Sequence, residues 1–217
     1  MPDLRYTLLP EGSSDRALVP ILTWLLRDVG VRRAIQSNLA DVWRLREKPR
    51  SLTEKIIRSI ELYPCDLLFI HRDADRESWE DRVTEIENAV EEARESITIS
   101  PVVCAVPIRM QEAWLLFDAA AIRRAAGNPN GREALRLPEL RRVEGIPDPK
   151  TELYNLIRIA SGLAGRRLKR LKVRALSSMA SQVSSYIEDF SPLRTLSAFR
   201  RLETDLRGAV NDQNWDT

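Results

Sequence analysis

Residues 66–75 read DLLFIHRDAD, and this stretch decides the fold that we expect. The apolar run from Leu67 to Ile70 is too short to show a helical period, so it predicts a strand that is buried on both faces. Asp73 and Asp75 follow this strand at its carboxyl end, where ligands collect in an open α/β sheet. In extended backbone they would point to the same side and could hold a hard cation. The alternative is that both are solvated loop residues, one of which caps the next helix.

Three further segments have the composition of strands, and helical patterns separate them. These segments are 4–9 (LRYTLL), 39–45 (LADVWRL) and 101–106 (PVVCAV). Alternation of strands and helices is typical of an α/β fold with a mainly parallel sheet flanked by helices. We therefore predict an α/β core over residues 1–126. A loop-rich segment and C-terminal helices packed on that core are predicted over 127–217, because glycines and prolines interrupt the chain from residue 127 onward.

Acidic residues also follow two of the other predicted strands. Glu11 leaves the first strand in the turn EGSSD, and Asp15 lies four residues further on. Glu112 falls in the first turn of the helix that we expect after the fourth strand. Because parallel strands end at one edge of a sheet, we expect these carboxylates to converge with Asp73 and Asp75. Taken singly, each has a simpler explanation as a turn residue or as a favourable charge at a helix start.

The composition is that of a water-soluble globular protein, with 43% hydrophobic and 30% charged residues. No apolar run is long enough to span a membrane, and the first residues do not resemble a signal peptide, so we expect a cytoplasmic protein with no membrane partner. Cys65 and Cys104 are expected to be buried free thiols.

One segment near the C-terminus is strongly basic. Residues 166–174, RRLKRLKVR, contain six basic side chains in nine positions, and we call them the basic run. They predict either the solvated face of a helix or contacts to the phosphates of a nucleic acid. The nucleic-acid interpretation assigns this role to Arg166, Arg167, Lys169 and Arg170.

The inventory of reactive residues restricts the chemistry. His71 is the only histidine, and its place in the strand favours a packed or supporting role. Converging carboxylates without histidine or cysteine favour Mg²⁺ or Mn²⁺ over zinc. Metal ions held in this way activate water and neutralise a leaving oxygen, and Arg109 or Lys150 would add positive charge at the same phosphate. Phosphoryl chemistry is the consistent inference.

Four motifs in this order resemble a known family. The motifs are EGSSD, DLLFIHRDAD, PIRMQEAWLL and DPKTEL, spread over roughly residues 4–160. A glutamate after the first strand and a DxD after a later one resemble the Toprim domain of topoisomerases, DnaG-type primases and OLD-family nucleases. The ordered set is most similar to the stand-alone bacterial Toprim-like family DUF4276, several of whose relatives belong to phage-defence systems.

This resemblance implies a metal-dependent nuclease that cleaves DNA or RNA. The metal ligands that it implies are Glu11, Asp15, Asp73, Asp75 and Glu112. It also implies that Lys150 assists catalysis, and that any ATPase partner is a separate polypeptide, because the chain contains no nucleotide-binding motif. Two alternatives stay open: a Toprim-like subunit that binds nucleic acid or a partner without catalysis, and a small-molecule phosphohydrolase.

Overall fold

The computed structural model describes residues 3–216, in which four parallel strands form one sheet flanked by helices. The strands in chain order are β1 (Leu4–Leu9), β2 (Ile35–Leu39), β3 (Leu67–His71) and β4 (Val102–Ala105). Their spatial order is β2-β1-β3-β4. The predicted α/β class and the alternation of strands and helices are confirmed. All four strands end at the same side of the sheet, which we call the carboxyl edge.

Helices make up most of the remaining structure. The α-helices within residues 3–216 are α1 (Leu18–Asp28), α2 (Leu52–Leu62), α3 (Trp79–Arg94), α4 (Ala119–Ala125), α5 (Pro149–Ala160), α6 (Gly165–Lys169), α7 (Val173–Val183) and α8 (Ser197–Asp212). Short 3-10 helices join several of these elements. Two of them lie at the carboxyl edge, at Ser13–Ala17 after β1 and at Gln111–Leu115 after β4.

A hydrophobic cluster lies on each face of the sheet. The helices α2 and α3 cover one face, whereas α1, α4, α5, α7 and α8 cover the other. Successive residues of β3 point to opposite faces, as the pleat of a strand requires: Phe69 joins the cluster with α1, and Ile70 joins the cluster with α2 and α3. Both faces of β3 are therefore buried, as its apolar sequence predicts.

The prediction of a strand over residues 39–45 was wrong. The second strand is β2, which ends where that segment begins, and residues Val42–Arg44 form a 3-10 turn. Since β2 pairs only with β1 at the border of the sheet, it tolerates polar residues such as Gln36 and Asn38, and its sequence lacks an apolar signal. Val42 is buried because it packs under α2 and not because it lies in a strand.

The helices beyond residue 127 share the core of the sheet. Trp114, at the carboxyl edge, packs edge to face against Phe199 of α8, with ring centroids 5.5 Å apart. Residues from β1, β3 and β4 belong to the same hydrophobic cluster as residues of α5, α7 and α8. The division of the chain at residue 126 stays a prediction. Among the described residues, no helix is both long enough and apolar enough to cross a membrane.

Candidate functional site

Side chains from three loops meet at the carboxyl edge. Asp15 lies in the 3-10 helix after β1, Asp73 follows β3, and Glu112 lies in the 3-10 helix after β4. The negative charges of Glu112 and Asp15 raise the pKa of Asp73, and the charge of Asp15 also raises the pKa of Glu112. The structure therefore brings these three carboxylates together, as their positions after parallel strands predict. Their role as metal ligands stays a prediction.

Asp73 is the central group of this cluster. Its Oδ1 accepts a hydrogen bond from the backbone N–H of Gln111 at 2.9 Å. Burial raises the pKa of Asp73, His71 opposes this shift, and the charges of Glu112 and Asp15 add to it, which together place the pKa at about 7. Near neutral pH this carboxyl group is therefore ionised only part of the time.

His71 packs directly against the carboxylates. Its Nδ1 lies 2.8 Å from the carbonyl oxygen of Ala105, and a carbonyl only accepts, so Nδ1 donates that hydrogen bond. Its Nε2 lies 3.4 Å from Oδ1 of Asp73 and 3.6 Å from Oδ2 of Asp15, and it forms no hydrogen bond within the described residues. The buried position agrees with the packed or supporting role expected for this residue.

Glu11 lies beside Asp73 but is more exposed. Its Oε2 accepts a hydrogen bond from the backbone N–H of Asp73 at 3.2 Å. Its Oε1 lies 3.5 Å from Nε of Arg72, which also pairs with Glu85 at 2.8 Å. With a side chain that is 41% exposed, Glu11 faces solvent at the opening of the cluster. The turn after β1 and the loop after β3 are thus joined through this carboxylate.

Asp15 already uses both of its carboxylate oxygens. Its Oδ2 accepts from the backbone N–H groups of Glu11 and Gly12, both at 2.8 Å. Its Oδ1 accepts from Ser14 Oγ at 3.0 Å and from Gln111 Nε2 at 2.8 Å. A metal ion bound here would have to displace hydrogen bonds that hold the turn. The observed role of Asp15 is therefore to fix the turn that presents Glu11.

Asp75 lies outside the cluster. Its backbone is left-handed, with φ of 52°, so the expectation of extended backbone between Asp73 and Asp75 was wrong. The turn is held by Arg109, whose carbonyl oxygen accepts from Asp75 N–H at 2.9 Å and whose Nη1 donates to the Asp75 carbonyl at 3.0 Å. The Asp75 side chain is exposed, and no residue within 3–216 hydrogen-bonds to its carboxylate. Aspartate tolerates left-handed backbone better than most residues.

Lys150 reaches the cluster from the helical C-terminal part of the chain. Its Nζ lies 3.3 Å from Oε1 of Glu112. Burial tends to lower the pKa of Lys150, but the attraction of Glu112 outweighs it and raises the pKa. Burial raises the pKa of Glu112 even though Lys150 opposes this shift. Asp148 caps α5 by accepting from the Thr151 N–H at 2.9 Å, and this cap positions the first turn that carries Lys150.

Sequence reasoning missed Gln111. This buried residue binds Asp73 through its backbone N–H and Asp15 through its side chain. Its place beside Glu112 in PIRMQEAWLL was the only available signal, and its bridging contacts depend on the tertiary structure. Gln111 Oε1 and Glu112 Oε2 are buried without a hydrogen-bond donor among the described residues. Both residues line a cavity of about 10 Å³, close to the space that one water molecule or small cation needs.

The oxygen atoms that are left uncommitted fit a hard cation in their chemistry. They are Oδ2 of Asp73 and Oε2 of Glu112, and Glu11, whose oxygens contact the Asp73 N–H and Arg72, lies beside them. Carboxylate oxygens are the ligands that Mg²⁺ and Mn²⁺ prefer. Within residues 3–216, however, no three His, Cys, Asp or Glu side chains are already spaced as metal ligands. Binding would therefore require these side chains to move closer together.

The basic run lies on and around the short helix α6. Its arginines and lysines, including Arg166, Arg167, Lys169 and Arg170, are exposed, and in the described part of the chain none forms an ion pair. The structure thus leaves the basic run free to contact a partner. Its last cation, Arg174, lies in the first turn of α7, one helical turn before Ser177, which lines the same cavity as Gln111 and Glu112.

Comparisons of the chain with protein-family models, with curated proteins and with solved structures found no match. The resemblance to the Toprim-like family DUF4276 therefore stays a prediction. Only the geometry of the site and the chemistry of its residues support a function.

Proposed function

We propose that this protein is a nuclease that hydrolyses phosphodiester bonds of DNA or RNA with the help of Mg²⁺ or Mn²⁺. The observation that carries the proposal is the cluster of Asp15, Asp73 and Glu112 at the carboxyl edge, in which burial and mutual repulsion raise the pKa of Asp73 to about 7. Carboxylates that are gathered out of water need a compensating cation. Strongly perturbed acids at a sheet edge are typical of functional sites.

Glu11, Asp73 and Glu112 would hold the cation. A divalent ion at these oxygens supplies an activated water and neutralises charge on the phosphate. Gln111 and His71 keep Asp73 in place, and Asp15 holds the turn of Glu11. Asp75 is not part of the proposed ligand set, because it is exposed and its charge does not act on Asp73 or Glu112 as those of Asp15 and Lys150 do.

Lys150 provides the positive charge nearest to the carboxylates. Its side chain is 39% exposed while Nζ contacts Glu112, so Lys150 can also reach a phosphate oxygen of a bound substrate. Arg109, half-buried and bound only to a backbone carbonyl, is the second candidate for that contact. A separate ATPase subunit is a candidate partner, and a cytoplasmic location agrees with the two free cysteines.

A cleavage assay tests the proposal. Supercoiled plasmid, single-stranded DNA and RNA are incubated with the wild-type protein, Asp73→Asn and Asp66→Asn in Mg²⁺, Mn²⁺ or EDTA. Asp66 precedes β3 at the opposite edge of the sheet and pairs with Arg5, so its variant makes the same chemical change on the same strand. We expect cleavage that needs the metal, survives in Asp66→Asn and falls at least a thousandfold in Asp73→Asn. Equal cleavage by the two variants would rule out the proposed centre.

One observation favours a binding subunit without catalysis. Three metal ligands are not preformed within residues 3–216, and Asp15 is occupied by backbone hydrogen bonds. A binding subunit would retain nucleic acid in EDTA and would tolerate Asp73→Asn without loss of affinity. A nuclease requires Asp73 for turnover, so the same variants distinguish the two functions.

A further inference from the structure

A second charged feature lies at the carboxyl edge, in the loop 45–51 that joins β2 to α2. We call this segment the basic loop. Its cations Arg46, Lys48 and Arg50 are exposed, and within residues 3–216 none of these side chains forms an ion pair. The neighbouring Arg44, by contrast, pairs with Asp41 at 2.9 Å. The basic loop therefore presents positive charge that the protein does not neutralise.

The basic loop borders an open groove. The groove has a volume of about 950 Å³ and lies between the loop and the outer face of α2. Two of its acidic residues are already engaged: Glu54 accepts from the backbone N–H of Arg50 at 2.6 Å, and Glu61 accepts from Arg58 at 2.7 Å. The side chains that are left to bind a ligand are mainly cationic, so the groove suits an anion.

The basic loop begins at the same edge of the sheet as the carboxylates. Two strand spacings separate β2 from β3, which amounts to roughly 10 Å at about 4.8 Å per spacing. Leu45, at the start of the basic loop, packs in the same hydrophobic cluster as Ala74 and Val106, which follow β3 and β4. A phosphate at the basic loop and a phosphate at the carboxylates would therefore belong to different nucleotides of one strand.

Other cations surround the carboxylates at the same edge. Arg16 follows β1 and Arg76 follows β3; both are exposed, and in the described residues neither pairs with an acid. Arg109 follows β4 and binds only a backbone carbonyl. The segment after every strand thus carries a cation outside the buried acids. This arrangement suits a chain of phosphates that crosses the edge with one phosphodiester at the carboxylates.

On the basis of the proposed nuclease function, we propose that the basic loop binds backbone phosphates of the substrate that flank the bond that is cleaved. Arg46 and Lys48 make these contacts. The substrate is accordingly a polynucleotide and not a mononucleotide or another small phosphoester. Both DNA and RNA present this phosphate chain, so the experiment includes both.

The test measures binding by fluorescence anisotropy in EDTA, where no metal-dependent cleavage takes place. The probes are labelled single-stranded DNA, single-stranded RNA and duplex DNA of about 20 nucleotides or base pairs. Arg46→Ala/Lys48→Ala is compared with Arg32→Ala/Arg132→Ala, which removes the same charge elsewhere. Both control residues lie away from the basic loop. Arg32 precedes β2 at the opposite edge of the sheet. Arg132 lies in a segment that a hydrogen bond from Asn128 to the Ala160 carbonyl holds at the end of α5.

We expect Arg46→Ala/Lys48→Ala to weaken binding of the preferred probe about tenfold and to reduce the single-strand salt slope by about 1.4, since two phosphate contacts are lost. The control should change affinity less than twofold. Equal effects of the two variants would show that only net charge matters and would overturn the inference. Failure of every probe to bind would overturn it as well.

Hydrolysis of a small phosphodiester distinguishes a failure of this inference from a failure of the proposed nuclease function. Bis(p-nitrophenyl) phosphate has no neighbouring phosphates, so in Mn²⁺ the basic-loop variant should hydrolyse it at the wild-type rate while its cleavage of the long probe falls. A parallel loss on both substrates would overturn the role of the basic loop. If Asp73→Asn abolishes cleavage but the basic-loop variant binds normally, the nuclease function stands and this inference is wrong.

Discussion

At the scale of single residues, the carboxylates of the site differ in their hydrogen bonds and in their charged neighbours, although the sequence alone does not distinguish them. Asp15 accepts hydrogen bonds at both oxygens from the turn around it, whereas Asp73 has one backbone donor and two acidic neighbours. Glu112 is buried with one oxygen unpartnered among residues 3–216. Burial and the neighbouring carboxylates therefore disfavour the ionised forms of Asp73 and Glu112. Variants at these positions should change the stability of the protein measurably.

The first prediction concerns the pH dependence of stability. The pKa of Asp73 is raised from 3.8 to about 7, so its contribution to stability is fully present below pH 4 and is lost as the pH rises through 7. Because asparagine cannot ionise, Asp73→Asn in EDTA should exceed the wild type in unfolding free energy at pH 8 by about 1–3 kcal/mol, and the difference should vanish near pH 4. Urea denaturation at several pH values measures this. A variant less stable than the wild type at pH 8 would contradict the raised pKa.

The second prediction concerns the Glu112 and Lys150 pair. Lys150→Met removes the cation 3.3 Å from a buried carboxylate and should cost about 1–2 kcal/mol, less than a fully buried pair because Lys150 is partly solvated. Adding Glu112→Gln should recover part of this loss, since the unpaired charge is then gone. A double-mutant cycle by urea denaturation gives the coupling energy. Additive effects would show that the two groups do not interact.

At the scale of elements, the apolar runs of the sequence determine which strands it predicts. The strands β1, β3 and β4 are recognisable from their sequences, because most of their residues are apolar and, apart from Arg5, all are buried or half-buried. The border strand β2 carries no such signal, since its polar residues face solvent. The left-handed turn at Asp75 and the bridging contacts of Gln111 depend on β4 and its following loop, so residues near them in sequence do not predict them.

The third prediction compares two helix caps. Asp148 caps α5, and Asp118 caps α4 by accepting from the Ala121 N–H at 2.9 Å. Replacement of either residue by alanine should cost about 1 kcal/mol of stability. Only Asp148→Ala should also lower nuclease activity, at least fivefold, because the first turn of α5 carries Lys150. Thermal unfolding and cleavage assays measure the two effects. Equal activity of both variants would show that Lys150 has no role in the site.

At the scale of the whole molecule, the sheet and the C-terminal helices share one core. The hydrophobic cluster on the α1 face includes residues from β1 through α8, and Trp114 connects the carboxyl edge to Phe199. The acidic site thus depends on both parts of the chain: β1, β3 and β4 supply the carboxylates, and α5 supplies Lys150. The resemblance implied a role for Lys150, and α5 is the helix that places this residue 3.3 Å from Glu112.

The fourth prediction follows from this shared core. Phe199→Ala removes a fully buried ring and should destabilise the protein by about 3–5 kcal/mol. Tryptophan fluorescence and far-ultraviolet circular dichroism should report one coincident transition, because loss of packing at α8 also affects the sheet. Two separate transitions would show that the C-terminal helices unfold independently of the strands.

The central claim is that the carboxyl edge binds a divalent cation through Asp73. Isothermal titration of Mn²⁺ into the wild-type protein, Asp73→Asn and Asp66→Asn tests it without requiring a nucleic acid or a partner protein. We predict saturable binding to the wild type and to Asp66→Asn, and at least tenfold weaker binding to Asp73→Asn. Equal binding by all three proteins, or no binding by any of them, would contradict the account.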